Sequence, residues 1–331
     1  MESADRTPVC AGVDLGGTKI AALLGTRDGS ILAEAKIETL PAAGPADAFE
    51  RIAHLLVRLA RESKVKPSAV GVGVPGLVDS AAGIIEFLPN LPNDWWGFPA
   101  AKFLRDKTGL PVYVLNDARL AALGEYTFGS GLKSDNMLVV TIGTGIGGGL
   151  ILDGRLRLGV WGAAGEIGHH TILPDGPPCS CGSRGCLETL INGPLLSAEG
   201  TSLARSGAAP KLASIVQNNW AAITPKEMAL AASQGDLKVL AAIQKAARYL
   251  GIGIANAVTL TAVELVVITG GVAALGELLL APARSVVRER VRMFPSDSVQ
   301  IACSTLGDRA GALGALALAF QDNSKLHSGH S

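Results

Sequence analysis

MLVVTIGTGIGGGLILDGRL, residues 137–156, contains Gly143, Gly145 and Gly148 in the G-x-G-x-x-G spacing of a dinucleotide-binding turn. That fingerprint requires the glycines to open a helix, whose N-terminus receives the pyrophosphate. Here the apolar run continues through GGGLIL into an Asp-Gly pair and a second short run. The pattern is strand, glycine turn, strand, so context excludes a Rossmann site. No G-x-x-x-x-G-K-[ST] occurs, which also removes the P-loop NTPases.

The pattern has an earlier copy. VDLGGTKIA (13–21) and VTIGTGIGG (140–148) both place an apolar strand, a Gly/Thr turn and a second apolar strand in that order. One copy would read as an ordinary hairpin. Two copies, with Asp14, Thr18 and Thr144 at the turns, predict two related α/β lobes with a cleft where backbone N–H groups meet a nucleotide's phosphates. Glycine suits such turns because a Cβ would hold the backbone away from the phosphate.

The rest of the chain alternates strands and helices. In PADAFERIAHLLVRLARE, Phe49, Ile52, Leu56 and Leu59 fall on one helical face. AVGVGVPGLVD reads as a buried strand ending in a Pro-Gly turn, and PAAKFLRDKTG as a short helix stopped by Gly109. PVYVL is a strand, followed by a helix over ARLAALGEYTFG. Helices are expected over 225–234, 236–260 and 275–292, strands over ELVVITGG and VQIACS, and a closing helix over RAGALGALALAF. This alternation predicts the α/β class.

Composition narrows the function. The 331 residues suffice for two substantial cores, and a net charge of zero leaves no electrostatic footprint for nucleic acid. The start, MESADRTPVC, lacks the apolar segment of a signal peptide, and no run of about 18 apolar residues suggests a membrane span. The expected setting is the cytoplasm.

Three of the five cysteines lie in HHTILPDGPPCSCGSRGCLE (169–188), just after His169 and His170. A reducing cytosol disfavours a disulfide, and Cys179 and Cys181 stand too close in sequence for an unstrained bridge. Cys179, Cys181 and Cys186 with one imidazole form the four-ligand set of a structural zinc site. The alternative is a group of reduced surface thiols. Spacing does not choose between His169 and His170. Cys10 and Cys303 sit in apolar runs and read as core residues.

DLGGTK (14–19), LND (115–117), IGTGIGGG (142–149), EIGHH (166–170), CSCGSRGCLE (179–188) and ITGG (268–271) occur in an order that resembles the ROK family of repressors and sugar kinases. The resemblance covers nearly the whole chain. Its most specific part is E-x-G-H followed by C-x-C-G-x-x-G-C-x-E. It implies a two-lobed actin/hexokinase-like (ribonuclease H-like) fold with a nucleotide cleft between the lobes. The lobes would be residues 1–115, completed by a C-terminal helix at 308–320, and residues 116–307, with the zinc loop at 166–188. Many ROK repressors carry a helix-turn-helix before the first glycine turn; only 13 residues precede Asp14 here, so none is expected.

The resemblance further implies ATP-dependent phosphorylation of a hexose at its 6-hydroxyl, with bacterial glucokinases the nearest type. Fructose and N-acetylmannosamine are other candidate acceptors, and polyphosphate another donor. A sugar-sensing regulator without turnover is the alternative from a different class. Asp117 would be the general base and Asn116 a sugar contact; an Asn-Asp pair before a helix is also a good N-cap. Asp14, Gly16, Gly17, Thr18 and Lys19 would meet phosphates and Mg²⁺, and Gly143, Thr144 and Gly145 would form the second phosphate clamp. Gly270 and Gly271 would admit adenosine. Gly76, Asn90, Glu166, His169 and Glu188 would read the sugar, with His169 also the zinc ligand. The zinc, having four protein ligands, would be structural. Loss of that loop is expected to affect sugar binding and leave ATP binding nearly unchanged, because the phosphate turns lie elsewhere in sequence. Trp95 and Trp96 read as loop packing rather than as a sugar platform. Family members are often homodimers or homotetramers.

Overall fold

The computed structural model describes residues 7–87 and 95–321. The chain divides into two compact units. Unit one comprises Met1–Lys133, Gly149–Gly165 and Asp308–Ser331, and unit two Ser134–Gly148 and Glu166–Gly307. The α/β class expected from the alternating pattern is observed in both.

Unit one is built on β1 (Val9–Leu15), β2 (Lys19–Thr26), β3 (Ile31–Glu38), β4 (Val70–Val74) and β7 (Val112–Asn116), in the order β3-β2-β1-β4-β7. β1 and β2 form the first glycine hairpin, pairing Leu15 with Ile20, and β4 and β7 continue parallel to β1. A small ribbon, β5 (Leu77–Asp79) and β6 (Ile84–Phe87), follows the Pro-Gly turn. β3 and this ribbon go beyond the sequence reading.

Two helices of unit one, α1 (Gly44–Ser63) and α2 (Ala100–Thr108), confirm their sequence patterns. Phe49, Ile52, Leu56 and Leu59 are buried, and burial of each such side chain stabilises by roughly 1.5–3 kcal/mol. α2 stops at Gly109, which takes the left-handed conformation at φ 69°. Trp95 is fully buried and Trp96 half exposed, so the first of the pair packs the loop as expected.

α3 (Asp117–Phe128) and α9 (Ala310–Phe320) pack against each other, and α9 also lies on β1 and β4. The approach is closer than side chains permit. A Cβ on Gly71 would stand 1.9 Å from the Ala315 carbonyl oxygen, and one on Gly314 would stand 1.8 Å from that of Leu120. Backbone therefore packs on backbone on both sides of α9. This contact also places α3 in unit one. The unit extends to Lys133, past the 115/116 boundary expected from sequence.

In unit two, β8 (Met137–Ile142) leads through the second glycine turn into β9 (Ile146–Leu152); from Gly149 the chain belongs to unit one, where a left-handed Asp153-Gly154 turn joins β9 to β10 (Arg155–Arg157). The strand after the glycines is thus observed, as the exclusion of a Rossmann site requires. Parallel strands follow in the order β8-β11-β12, with β11 at Leu265–Thr269 and β12 at Gln300–Cys303. Two helices go beyond the sequence reading, α4 (Gly193–Arg205) and α5 (Pro210–Ile215), each with proline in its first turn. α6 (Pro225–Ser233) starts in a capping box of Thr224 and Glu227, and α7 (Leu237–Thr261) packs on α8 (Glu277–Arg290). Cys10 is a core residue, whereas Cys303 is only partly buried at the end of β12. Among the described residues, no helix is long and apolar enough to cross a membrane.

Candidate active site

In unit one, β7 ends at Asn116 and α3 begins at Asp117. Asn116, rather than Asp117, caps the helix: its Oδ1 accepts the N–H groups of Ala118 at 3.0 Å and Arg119 at 3.1 Å. Its Nδ2 donates to the Gly76 carbonyl at 2.8 Å, which leaves one amide hydrogen for a ligand. The buried Arg119 guanidinium donates to the same Oδ1 at 3.3 Å. Asp117, at the first helical position, accepts Ala118 N–H at 2.7 Å through Oδ1. An acid there is favoured by the helix dipole.

Asp14 occupies the end of β1, beside the first glycine turn. Desolvation raises its carboxyl to about 7, and the negative charge of Asp117 adds to this, against a smaller opposing effect of Lys36. The two carboxylates therefore sense one another within unit one. The turn itself, Gly16 to Thr18, is closed by Gly16 N–H to the Lys19 carbonyl at 2.9 Å. Gly17, Thr18 and Lys19 are exposed. Gly76 has φ 79°, in the turn between β4 and β5. Asn90 lies outside the described residues.

Unit two assembles the second group. Gly143 N–H donates to the Gly145 carbonyl at 2.9 Å, and the Gly143 carbonyl accepts Gly193 N–H at 2.8 Å. Thr144 is exposed at the tip. Glu188 Oε2 accepts Ile146 N–H at 2.7 Å. A Cβ on Gly145 would stand 2.2 Å from the same oxygen, so a larger residue there would displace the Glu188 carboxylate from Ile146 N–H. Gly270, with φ 87°, packs on the Ile142 backbone, and Gly271 opens a short 3₁₀ helix. Both therefore lie beside the strand that feeds the second turn.

Glu166 and His169 frame another 3₁₀ helix, with His169 Nε2 at 3.9 Å from Glu166 Oε2. The other ring nitrogen, Nδ1, is 3.6 Å from Cys179 Sγ, and Cys181 Sγ is 3.8 Å from Cys186 Sγ. Ligand atoms of His169, Cys179, Cys181 and Cys186 all lie within 4.8 Å of one another. Tetrahedral bonds of about 2.3 Å to sulfur and 2.1 Å to nitrogen give edges of about 3.8 Å and 3.6 Å. The donor set thus has zinc spacing. The chemistry agrees: burial and the neighbouring thiols push Cys186 up to about 12, a cost that a divalent cation would reverse. His170 stands outside the cluster, so the fold chooses His169 where spacing did not.

The chain matches the ROK family over residues 10–322. The chain belongs to the ROK family. It is 36% identical to a glucokinase of Halalkalibacterium halodurans over 323 residues, 96% of this chain and 97% of that one. It is 32% identical to a xylose repressor of Caldicellulosiruptor bescii over 314 residues, 94% of this chain and 78% of the repressor. Among solved structures, a ROK glucokinase of Streptomyces griseus in complex with glucose and AMPPNP matches with a TM-score of 0.83 and 35% identity, covering 94% of this chain and 99% of that one. The fold class expected from the motifs is thus that of ROK glucokinase structures.

Two contributions escaped the motifs, and a third lay inside one unread. Arg119 and its bond to Asn116 Oδ1 lie in an otherwise ordinary helical run. The Glu188–Ile146 bond joins segments far apart in sequence. Gly168, inside E-x-G-H, carried a signal in the motif: a Cβ there would stand 2.1 Å from the Ile146 carbonyl oxygen.

Proposed function

We propose that this chain is an ATP-dependent hexose kinase that phosphorylates the 6-hydroxyl, with glucose as its principal acceptor and Asp117 as the general base. The observation that carries the reading is that Asp14 and Asp117 lie in one unit, the charge of Asp117 helping to raise the Asp14 carboxyl, and that Gly17, Thr18 and Lys19 of the first glycine turn in that unit are exposed. Phosphoryl transfer to an alcohol needs positive charge at the phosphates, which a metal held by a carboxylate supplies, and a base to accept the hydroxyl proton. Asn116 carries the helix cap, so the Asp117 carboxylate is not required for it. The relatives named glucokinase support the same reading.

Asp117 accepts the proton of the acceptor hydroxyl as the oxygen approaches phosphorus. Asn116 directs its remaining amide hydrogen to a neighbouring sugar hydroxyl. Glu166, His169 and Glu188 accept or donate bonds to the other hydroxyls, since carboxylates suit adjacent hydroxyl pairs. Gly17 and Thr18, with Thr144 and Gly145, present backbone N–H groups to phosphate oxygens, and Asp14 would hold Mg²⁺. Mg²⁺, when bound, neutralises the charge developing on the phosphates. His169, Cys179, Cys181 and Cys186 would hold zinc as a four-ligand structural site, which would fix the His169 ring for its sugar contact.

A sugar-sensing regulator is the second reading, favoured by the xylose repressor relative. Initial rates of ADP release across glucose, fructose, mannose and N-acetylmannosamine, with ATP, GTP and polyphosphate as donors, separate the two. Glucose-dependent ADP release supports the kinase. Sugar binding without turnover supports the regulator.

A further inference from the structure

We propose that Thr39 is a positioning residue for nucleotide binding: it holds the first glycine turn in the form that aims N–H groups at phosphate. This rests on the reading of Gly16–Lys19 as a phosphate turn. Thr39 follows β3 and is fully buried, one of few polar side chains so placed among the described residues. Its Oγ1 donates to the Gly16 carbonyl at 2.6 Å, and its backbone N–H donates to the Thr18 carbonyl at 2.9 Å.

The consequence follows from the planarity of the peptide bond. The Gly16 carbonyl and the Gly17 N–H belong to one plane and point in opposite directions. Holding the carbonyl against Thr39 therefore turns Gly17 N–H outward. Among the described residues, the N–H groups of Gly17 and Thr18 have no protein acceptor. Without the hydroxyl, a Gly-Gly peptide is free to rotate, since neither residue has a Cβ to restrict it. A rotated plane would offer phosphate a carbonyl oxygen in place of an N–H.

Thr39 is itself fixed from α1. Arg51 donates to the Glu38 carbonyl at 2.5 Å and to the Thr39 carbonyl, while its Nε bonds Asp47 at 2.7 Å. The guanidinium thereby anchors the segment that carries the hydroxyl.

Thr39→Val removes the hydroxyl at nearly constant shape and leaves the part-buried Gly16 carbonyl without its donor. The expected result is a rise of about tenfold in the KM for ATP and in the Kd for Mg·AMPPNP measured by calorimetry. Hexose KM should stay within about twofold, a split that a general loss of stability would not produce. Thr39→Ser should restore ATP KM to within about threefold of wild type, since its hydroxyl can make the same bond. Arg51→Met should raise ATP KM in the same direction, by about threefold.

A folded Thr39→Val enzyme with wild-type ATP KM would overturn the proposal. So would equal rises in both KM values, or a Ser variant as impaired as Val. Should Thr39→Val not fold, an unchanged ATP KM in Arg51→Met overturns it. Wild-type protein that binds no Mg·AMPPNP overturns the phosphate-turn reading and this proposal together. Binding without hexose turnover overturns only the kinase reading.

Discussion

Glu188 Oε2 lies 2.7 Å from the Ile146 backbone nitrogen and accepts its hydrogen bond, tying the cysteine loop to the second glycine turn. Glu188 stands two residues after Cys186, so disorder in the cysteine loop reaches the turn directly. Sequence separation led to the expectation that loss of the loop leaves ATP binding nearly unchanged; this bond predicts an effect on nucleotide binding as well.

Cys181→Ser replaces a thiolate with a poor zinc ligand. Zinc content by elemental analysis should fall well below one per chain. Hexose KM should rise steeply, and ATP KM should rise with it by several-fold, because Glu188 no longer fixes Ile146 N–H. An unchanged ATP KM in a zinc-depleted variant would reduce the Glu188–Ile146 bond to packing. Fully active wild-type protein without zinc would remove the metal from the account.

Asp117→Asn isolates the base. Asn116 caps α3 through its own side chain, so the helix start should survive, and an Asn at 117 retains an oxygen for Ala118 N–H. Glucose affinity should stay within a few-fold while kcat falls by at least about 10²-fold. Retention of more than about a tenth of wild-type kcat is incompatible with Asp117 as general base.

Asp14 makes stability depend on pH. Burial, and then the charge of Asp117, raise its carboxyl from the ordinary 3.8 to about 7. The folded protein therefore binds a proton there that the unfolded chain releases between pH 3.8 and 7. The associated stability is present below that window and is lost as pH rises through it. Thermal midpoints of wild type and Asp14→Asn, recorded without nucleotide from pH 5 to 8, should diverge: wild type loses stability relative to the variant as pH rises. Parallel curves would show that Asp14 ionises at its ordinary pH.

Gly71→Ala tests the backbone packing of α9. The added Cβ would stand 1.9 Å from the Ala315 carbonyl oxygen, and no flexible side chain is available to yield. Destabilisation of about 1–3 kcal/mol or more is expected, visible as a lower urea midpoint with unchanged slope. A neutral result would mean that α9 slides freely on β4.

Periodicity and punctuation along the chain were enough for the local elements. The face of α1, the stop at Gly109, both glycine hairpins and the rejection of G-x-G-x-x-G follow from neighbours in sequence, because hydrogen bonding and side-chain direction repeat over two to four residues. The cysteine cluster was legible for the same reason: Cys179, Cys181 and Cys186 lie within one short loop. Cysteine spacing left His169 and His170 open and the family resemblance implied His169; the folded loop turns His169 Nδ1 to within 3.6 Å of Cys179 Sγ. The division of work between Asn116 and Asp117, the tie from Glu188 to Ile146 and the hold of Thr39 on Gly16 were hidden. Each depends on where a side-chain oxygen lies in space once distant or differently directed backbone has come within 3 Å, and residue order carries no distance. Unit one extends through α3 for a similar reason: α9, nearly two hundred residues further on, meets it backbone to backbone at Gly314.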